Sequence, residues 1–214
     1  MGWYMILKDF AAPAVALIGV GVTGGLALVG LKTFDRWKRE KLEEKRIEVA
    51  IDALAIGFEA RVVFDAIRSR GANYAEMGVE GAPSVDDRAN QQQRGPSAVL
   101  KRVEAQQPFF DKALALEPKF VAIFGRDKEA IFERLFSARQ KVIVTAEVLA
   151  DDYRTEPDHG NPEARQQRVK WRKQIFASPG TVDPEDEVGK LLQEFRDEIE
   201  KLCRPIMDRS FKQP

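Results

Sequence analysis

Hydrophobic and polar positions follow two different patterns along this chain. Residues 10–31 form a run of 22 residues with no charged side chain, FAAPAVALIGVGVTGGLALVGL. From about residue 47 onward, apolar side chains instead recur every three or four positions, which is the period of an amphipathic helix. Strand-like alternation is almost absent, and glycine and proline cluster between the helical runs. The pattern predicts an all-α protein, with a single N-terminal transmembrane helix followed by an antiparallel helical bundle.

The uncharged run is long enough to cross a bilayer. As a helix it would span about 33 Å at roughly 1.5 Å per residue, against a hydrocarbon core of about 30 Å. Ten of its residues are Leu, Ile, Val or Phe, which favour insertion into the membrane. Five glycines and Pro13 offset part of that favourable free energy. A buried helix of a soluble protein is the alternative. A cleaved signal peptide fits less well, because its apolar region covers only roughly 7–15 residues.

Aromatic and basic residues border the run, as at membrane interfaces. The predicted interface anchors are Trp3, Tyr4, Trp37, Lys32, Arg36, Lys38 and Arg39. Because basic flanks stay in the cytoplasm, we expect the N-terminal tail (1–9) outside and the C-terminal domain in the cytoplasm. The lone Cys203 agrees with a reducing compartment, since no internal disulfide can form.

Small residues inside the run have the spacing that lets membrane helices approach closely. They are Gly21, Gly25, Ala12 and Ala16. This spacing indicates an oligomer or another helix partner within the membrane.

The chain after the run divides into a charged juxtamembrane stalk (32–46) and a cytoplasmic bundle (47–214). We expect the first bundle helix to bury one face and to end near Gly71. That face consists of Ile47, Ile51, Leu54 and Phe58, with Ile56, Val63 and Ile67 beside it. Residues 71–96 are rich in Gly, Gln and Asn and are predicted to be a flexible loop.

Three further long helices are predicted. One covers 97–124, where Pro108 and Pro118 should kink or divide it. Another covers 127–151, and its wide apolar side predicts the most central helix. The last helix begins with Asp183 as its cap and Pro184 in its first turn. Its apolar face consists of Val188, Leu191, Leu192, Phe195, Ile199, Leu202 and Cys203.

A basic segment precedes that last helix. Its residues Arg165, Arg168, Lys170, Trp171, Arg172 and Lys173 indicate either a docking surface or a solvated structural face. A helix lying on the membrane surface is disfavoured, because the charges fall between the apolar residues. The 34 basic residues balance the 34 acidic ones, so the overall charge does not point to nucleic acid as a partner.

Few residues indicate catalysis. The only histidine is His159, and no helix carries the Glu-x-x-His pair of di-iron bundles. The glycines of residues 19–25 lack the following Lys-Ser/Thr of a phosphate loop. We therefore expect no cofactor, no metal and no small-molecule substrate. Arg154 and His159, in RTEPDH, are similar to the Arg-x4-6-His motif of HEPN-type ribonucleases, which are also helical bundles. That resemblance covers six residues and implies RNA cleavage by these two side chains.

Two functional hypotheses follow. The first is a non-enzymatic, membrane-anchored scaffold or adaptor, which contacts membrane lipid and other protein subunits of a membrane complex. The alternative is a membrane-anchored enzyme or signalling effector. Its sharpest version is the HEPN-like ribonuclease that uses Arg154 and His159.

Overall fold

Helices make up all the regular structure that is described for this chain. The computed structural model describes the backbone of residues 3–70, 88–155, 161–176 and 185–211. It describes the side chains of residues 25–26, 30–70, 95–155, 161–176 and 185–208. In these ranges the helices are α1 (Trp3–Ile67), α2 (Arg88–Ala105), α3 (Gln107–Phe124), α4 (Glu129–Thr155), α5 (Pro162–Ile175) and α6 (Glu187–Phe211). A short 3₁₀ turn, Arg126–Lys128, precedes α4.

The chain divides into two compact units, Met1–Ile47 and Glu48–Pro214. The second unit is a helical bundle with one continuous hydrophobic core. In the described part of the chain, no helix combines the length and the apolar character needed to cross a membrane. Most side chains of the predicted span, those of residues 10–24 and 27–29, lie outside that part.

Helix α4 is the centre of the bundle, as its wide apolar side predicts. It contacts α2, α3, α5 and α6. Its buried residues recur at helical spacing and are Ile131, Phe132, Leu135, Ala138, Val142, Ala146, Leu149 and Ala150. The predicted apolar face of α6 is also confirmed, because all seven of its residues lie in the core or pack against it.

A series of aromatic contacts joins four helices across this core. Phe64 of α1 meets Phe110 of α3 edge-on, with ring centroids 5.9 Å apart. Phe132 of α4 contacts Phe120 of α3 at 5.3 Å and Phe195 of α6 at 5.6 Å. Edge-to-face geometry is favoured because the positive ring edge meets the negative ring face. These contacts fix how α1, α3, α4 and α6 pack.

The prediction for the buried face of α1 is confirmed for Ile56, Val63 and Ile67, which were expected beside that face, and is wrong for its four central residues. Ile51 and Phe58 are exposed, and Ile47 and Leu54 are only partly buried. The core is formed by the opposite side of the helix, by Val49, Ala50, Ala53, Ile56, Ala60, Val63, Phe64 and Ile67. Small alanines on that side allow close packing. At Gly57, an added Cβ would lie 3.6 Å from Cγ2 of Ile199 on α6.

Helix α2 begins nine residues before its predicted start, so the predicted loop (71–96) is wrong for residues 88–96. Residues 71–87 lie outside the described backbone. Pro96 lies inside α2 and is buried, as are Ala98, Val99 and Val103 of the same helix. Burial of these side chains against the core offsets the hydrogen bond that proline cannot make.

The prediction at Pro108 is confirmed, whereas Pro118 does not divide its helix. The chain leaves the helical path at Gln106, and α3 starts at Gln107 with Pro108 in its first turn. Proline is tolerated there because the first backbone N–H groups of a helix have no intrahelical acceptor. Helix α3 passes through Pro118 and continues to Phe124.

The predicted start of α6 is also wrong. Helix α6 begins at Glu187, and the side chain of Asp186 accepts a hydrogen bond from the backbone N–H of Gly189 at 2.9 Å. Asp186 is therefore the capping residue in place of Asp183, which lies outside the described residues together with Pro184. At the other end, α6 passes through Pro205 and continues to Phe211.

Arg68 joins three helix ends. Its side chain follows the last turn of α1 and is 3% exposed. The guanidinium donates to the carbonyl oxygen of Lys173 in α5 at 2.9 Å and to the carboxylate of Asp186 at 2.7 Å. Its Nε has no partner in the described part of the protein. The end of α1, the end of α5 and the start of α6 are thus held by one cation.

Candidate functional site

Basic and aromatic side chains are concentrated in α1 directly after the uncharged run. We call Lys32, Arg36, Lys38 and Arg39, together with Phe34 and Trp37, the basic collar. All six side chains are exposed. The two rings lie side by side, with centroids 5.8 Å apart. Cationic tips and amphipathic rings are the groups that prefer a headgroup layer.

The cations of the collar have few carboxylate partners. Arg36 donates to Glu40 at 3.0 Å, and Nε of Arg39 donates to the backbone oxygen of Asp35 at 3.3 Å. No partner of Lys32 or Lys38 occurs among the described residues. The collar therefore presents positive charge that the described residues of the protein leave largely unneutralised.

The rest of the stalk, residues 40–46, which we call the stalk from here on, neutralises its own charge. Lys41 donates to Glu44 at 2.5 Å, and Arg46 lies 3.7 Å from Glu43. The hydrogen bond from Lys41, together with the charges of Lys41 and Lys45, lowers the pKa of Glu44 below its usual value. The stalk thus differs from the collar although both are rich in Lys and Arg.

The predicted packing residues of the membrane run are mostly undescribed. The side chains of Ala12, Ala16 and the anchors Trp3 and Tyr4, together with Gly21, lie outside the described set. Gly25 is described, and an added Cβ there would meet nothing within 4 Å. Helix–helix packing through these positions stays a prediction.

The predicted docking surface on α5 is divided by the fold. Asn161 caps α5 by accepting from the backbone N–H of Glu163, with Pro162 in the first turn. Arg168 is buried and paired with Asp152, with its guanidinium 5.6 Å from the ring centroid of Tyr153.

The other five residues of this surface lie in two groups. Trp171 is partly buried against the core, and Lys173 pairs with Glu185 at 2.7 Å. Arg165, Lys170 and Arg172 are exposed. Only these three, with the neighbouring exposed Val169, remain available to a partner.

The ribonuclease-like motif is only half described. Arg154 lies in the last turn of α4, and its guanidinium is 3.5 Å from Asp151. His159 lies outside the described residues. The structure therefore does not bring the two side chains together in a described site.

An exposed apolar surface on α1 was missed by the sequence prediction. Ile51, Ala55, Phe58 and Val62 are all exposed, and Val62 reaches 68%. Their spacing of four, three and four residues places them along one side of the helix, and we call them the α1 stripe. The signal was present in the sequence, because α1 carries apolar residues all round and only one side of it can face the core.

Side chains of α3 and α6 border the α1 stripe. The guanidinium of Arg196 lies 5.4 Å from the ring centroid of Phe58, whose residue remains 46% exposed. On the other border, Lys112 of α3 lies 3.6 Å from Glu59. An apolar surface rimmed by charged side chains is typical of a protein interaction site.

An open groove lies on the outside of α3 and the start of α4. Its apolar floor contains Leu114, Pro118 and Val121, and Glu117 and Glu129 line its side. Partial burial raises the pKa of Glu117, and the charges of Glu129 and Glu133 raise it further. Arg126 also lines the groove, so its lining carries charges of both signs.

Neither the cysteine thiol nor the carboxylates of the described residues form a reactive site. Cys203 is buried in α6, and burial raises the pKa of its thiol to about 11. Within the described residues, no three His, Cys, Asp or Glu side chains are grouped to hold a metal ion.

Comparison of the chain with protein-family models, with curated proteins and with solved structures finds no match. The surfaces of the molecule are therefore the basis for a functional proposal.

Proposed function

We propose that this chain is a single-pass, membrane-anchored scaffold or adaptor whose helical bundle binds another protein subunit through the α1 stripe. The anchor is the uncharged run of residues 10–31, and the bundle lies on the cytoplasmic side. The α1 stripe is the observation that carries the proposal. A monomeric domain rarely leaves a contiguous row of large apolar side chains in water unless a partner covers it.

The geometry of the stripe indicates the kind of partner. Four apolar positions at helical spacing form a narrow, straight surface that fits one amphipathic helix laid alongside. Phe58, at the third position, would be the main anchor because aromatic rings bury the largest apolar area. A subunit with an exposed amphipathic helix is therefore the expected partner.

The partner proposal is tested with two charge-introducing variants. Phe58→Glu combined with Val62→Glu disrupts the stripe. Val144→Glu combined with Val148→Glu introduces the same charges, at the same spacing, at exposed apolar positions of α4. Each protein is solubilised from membranes at native expression, and its complex is measured by size and subunit composition.

We expect the original chain and the Val144/Val148 variant to elute in a larger complex that contains a second kind of subunit. The Phe58/Val62 variant should elute alone, with an unchanged thermal unfolding midpoint. Recovery of the original chain only as a monomer, or only with copies of itself, would contradict the adaptor role.

The anchor is tested separately. Alkaline carbonate should leave the chain in the membrane pellet, and protease added outside intact cells should leave the bundle uncut. Release into the supernatant, or digestion of the bundle, would contradict the membrane arrangement.

A further inference from the structure

Charge is distributed unevenly along the described part of α1. Residues 32–39 contain four basic residues and one acidic residue, so their net charge is +3. Residues 40–48 contain three basic and four acidic residues, so their net charge is −1. The positive charge is therefore confined to about two helical turns next to the uncharged run.

The side-chain contacts sharpen this difference. In the stalk, Lys41 and Arg46 pair with Glu44 and Glu43 one turn away. Among the described residues, Arg36 is the only collar cation with a carboxylate partner, Glu40, and both side chains are largely exposed, at 81% and 63%. An exposed pair of this kind contributes little and can exchange for another anion. The collar is therefore a cationic surface that is ready to accept an external anion.

The cations of the collar lie on more than one side of the helix. At about 100° per residue, Lys32, Arg36 and Arg39 share one side, while Lys38 lies beside Phe34 on another. A helix that lies flat on a membrane keeps its charges opposite a continuous apolar face. Lys38, next to Phe34, interrupts such an apolar face, and this arrangement instead suits a helix that passes through a layer of headgroups.

We propose that the basic collar binds the headgroups of anionic phospholipids. The inference rests on the proposed membrane anchor. Arg and Lys side chains donate hydrogen bonds to phosphate oxygens, and a net charge of +3 favours lipids that carry a net negative charge over zwitterionic ones. The exposed pair Phe34 and Trp37 favours a lipid interface over a soluble polyanion, because aromatic rings prefer the headgroup level.

Trp37 lies inside the collar and can report which lipid surrounds it. The full chain, with Trp3→Phe and Trp171→Phe so that one tryptophan remains, is reconstituted into vesicles of phosphatidylcholine and phosphatidylglycerol. Either the choline lipid or the glycerol lipid carries brominated acyl chains, which quench nearby tryptophan fluorescence. The ratio of quenching by the two lipids measures the preference of the collar.

Two matched variants remove three positive charges each. The collar variant carries Lys32→Gln, Lys38→Gln and Arg39→Gln. The stalk variant carries Lys41→Gln, Lys45→Gln and Arg46→Gln, which have interactions within the stalk. We expect an enrichment of phosphatidylglycerol of about tenfold around the original chain and the stalk variant, and none around the collar variant.

The outcomes separate the two proposals. Equal quenching by both brominated lipids in the original chain would overturn the lipid preference and leave the anchor intact. Equal loss of phosphatidylglycerol enrichment in the collar and stalk variants would also overturn the lipid preference, because the total charge of the chain rather than the collar would then determine lipid binding. Failure of the chain to float with the vesicles in a density gradient would overturn the anchor itself. A second measurement, native mass spectrometry of the protein with its three tryptophans intact, should find bound phosphatidylglycerol on the original chain and less on the collar variant.

Discussion

Arg68 and Asp186 form a buried ion pair in which Nη2 of the arginine lies 2.7 Å from Oδ1 of the aspartate. The same carboxylate oxygen caps α6 by accepting the backbone N–H of Gly189. One aspartate therefore stabilises the start of α6 and neutralises a cation at the end of α1. The two functions depend on each other, since the cap positions the carboxylate for the guanidinium.

Arg68→Met should lower the free energy of unfolding by about 3 kcal/mol, because the substitution leaves a partly buried carboxylate without its cation. Chemical denaturation at neutral pH measures the loss. Arg61→Met is the matched control, since Arg61 and Asp65 lie 3.8 Å apart with side chains 73% and 66% exposed. The control should change the free energy by less than about 0.5 kcal/mol. Equal losses would show that Arg68 has no special role.

Two glycines should respond in opposite directions to alanine. Gly57 lies inside α1, where a Cβ would make ordinary contact with Ile199 at 3.6 Å. Gly57→Ala should therefore raise the free energy of unfolding by up to about 1 kcal/mol through helix propensity. Gly125 has φ 103° and ψ 155°, and a Cβ there would lie 2.7 Å from Oδ1 of Asp127. Gly125→Ala should cost about 1–3 kcal/mol.

Thermal unfolding of both glycine variants tests the pair. A loss of stability in Gly57→Ala would mean that α1 and α6 pack more closely than described. An unchanged midpoint in Gly125→Ala would mean that the turn before α4 adopts another conformation.

Glu117→Gln should stabilise the protein at neutral pH. Because burial and the charges of Glu129 and Glu133 raise the pKa of Glu117 in the folded state, folding disfavours its charged form. The protonated carboxyl of Glu117 therefore contributes to stability below its usual pKa of 4.5. That contribution is lost as pH rises through its raised pKa in the folded protein.

The unfolding midpoint of Glu117→Gln should therefore exceed that of the original chain at about pH 7 and match it at about pH 3.5. Glu104→Gln, at an exposed position of α2, is the control and should give no such pH-dependent gain. A gain of equal size at both pH values would contradict the electrostatic explanation.

Cys203 should resist alkylation in the folded protein. Burial raises the pKa of its thiol from 9.0 to about 11, so little thiolate forms at neutral pH. Iodoacetamide at about pH 8 should label Cys203 only after the chain is unfolded in urea, as followed by mass spectrometry. Ser69→Cys introduces an exposed thiol as a positive control and should be labelled at once.

The same pKa shift predicts how stability changes in alkali. Folding favours the neutral thiol of Cys203. The contribution of this thiol to stability is therefore complete below pH 9.0 and is lost as pH rises through about 11. Cys203→Ala should reduce this alkaline loss of stability. Rapid labelling of Cys203 in the folded protein would contradict its buried position.

Large apolar side chains at regular spacing made α4 and α6 predictable. Phe132 and Leu135 of α4, like Phe195 and Ile199 of α6, are three or four residues apart, and each is fully buried as expected. Their helices each have one clear apolar side, so the sequence leaves a single choice of which face is buried. The all-helical class follows from the same regularity.

The buried face of α1 could not be predicted in this way, because the helix has apolar residues all round. The large side chains Ile51 and Phe58 suggested that one side of the helix is buried. The opposite side is buried instead, because the small Ala50, Ala53 and Ala60 allow close packing there. Such packing depends on the neighbouring helices rather than on the local pattern.

The candidate surfaces were predictable to different degrees. The basic collar can be read from the sequence, because its charges are local and its carboxylate partners few. On α5, burial of Arg168 depends on Asp152, 16 residues earlier, and therefore on tertiary structure. The cap of α6 was not predictable for a similar reason, since Asp186 is fixed by Arg68, 118 residues earlier in the chain.

The buried side of α1 limits where the chain can be cut without destroying the bundle. Residues from Val49 to Ile67 fill one wall of the core, so cutting the chain after Ile67 would remove part of the bundle itself. A fragment starting at Arg88 would lose the ring that meets Phe110 and the backbone that meets Ile199, and we expect it to aggregate. Release of an intact bundle from the proposed anchor would therefore require cleavage on the N-terminal side of Glu48.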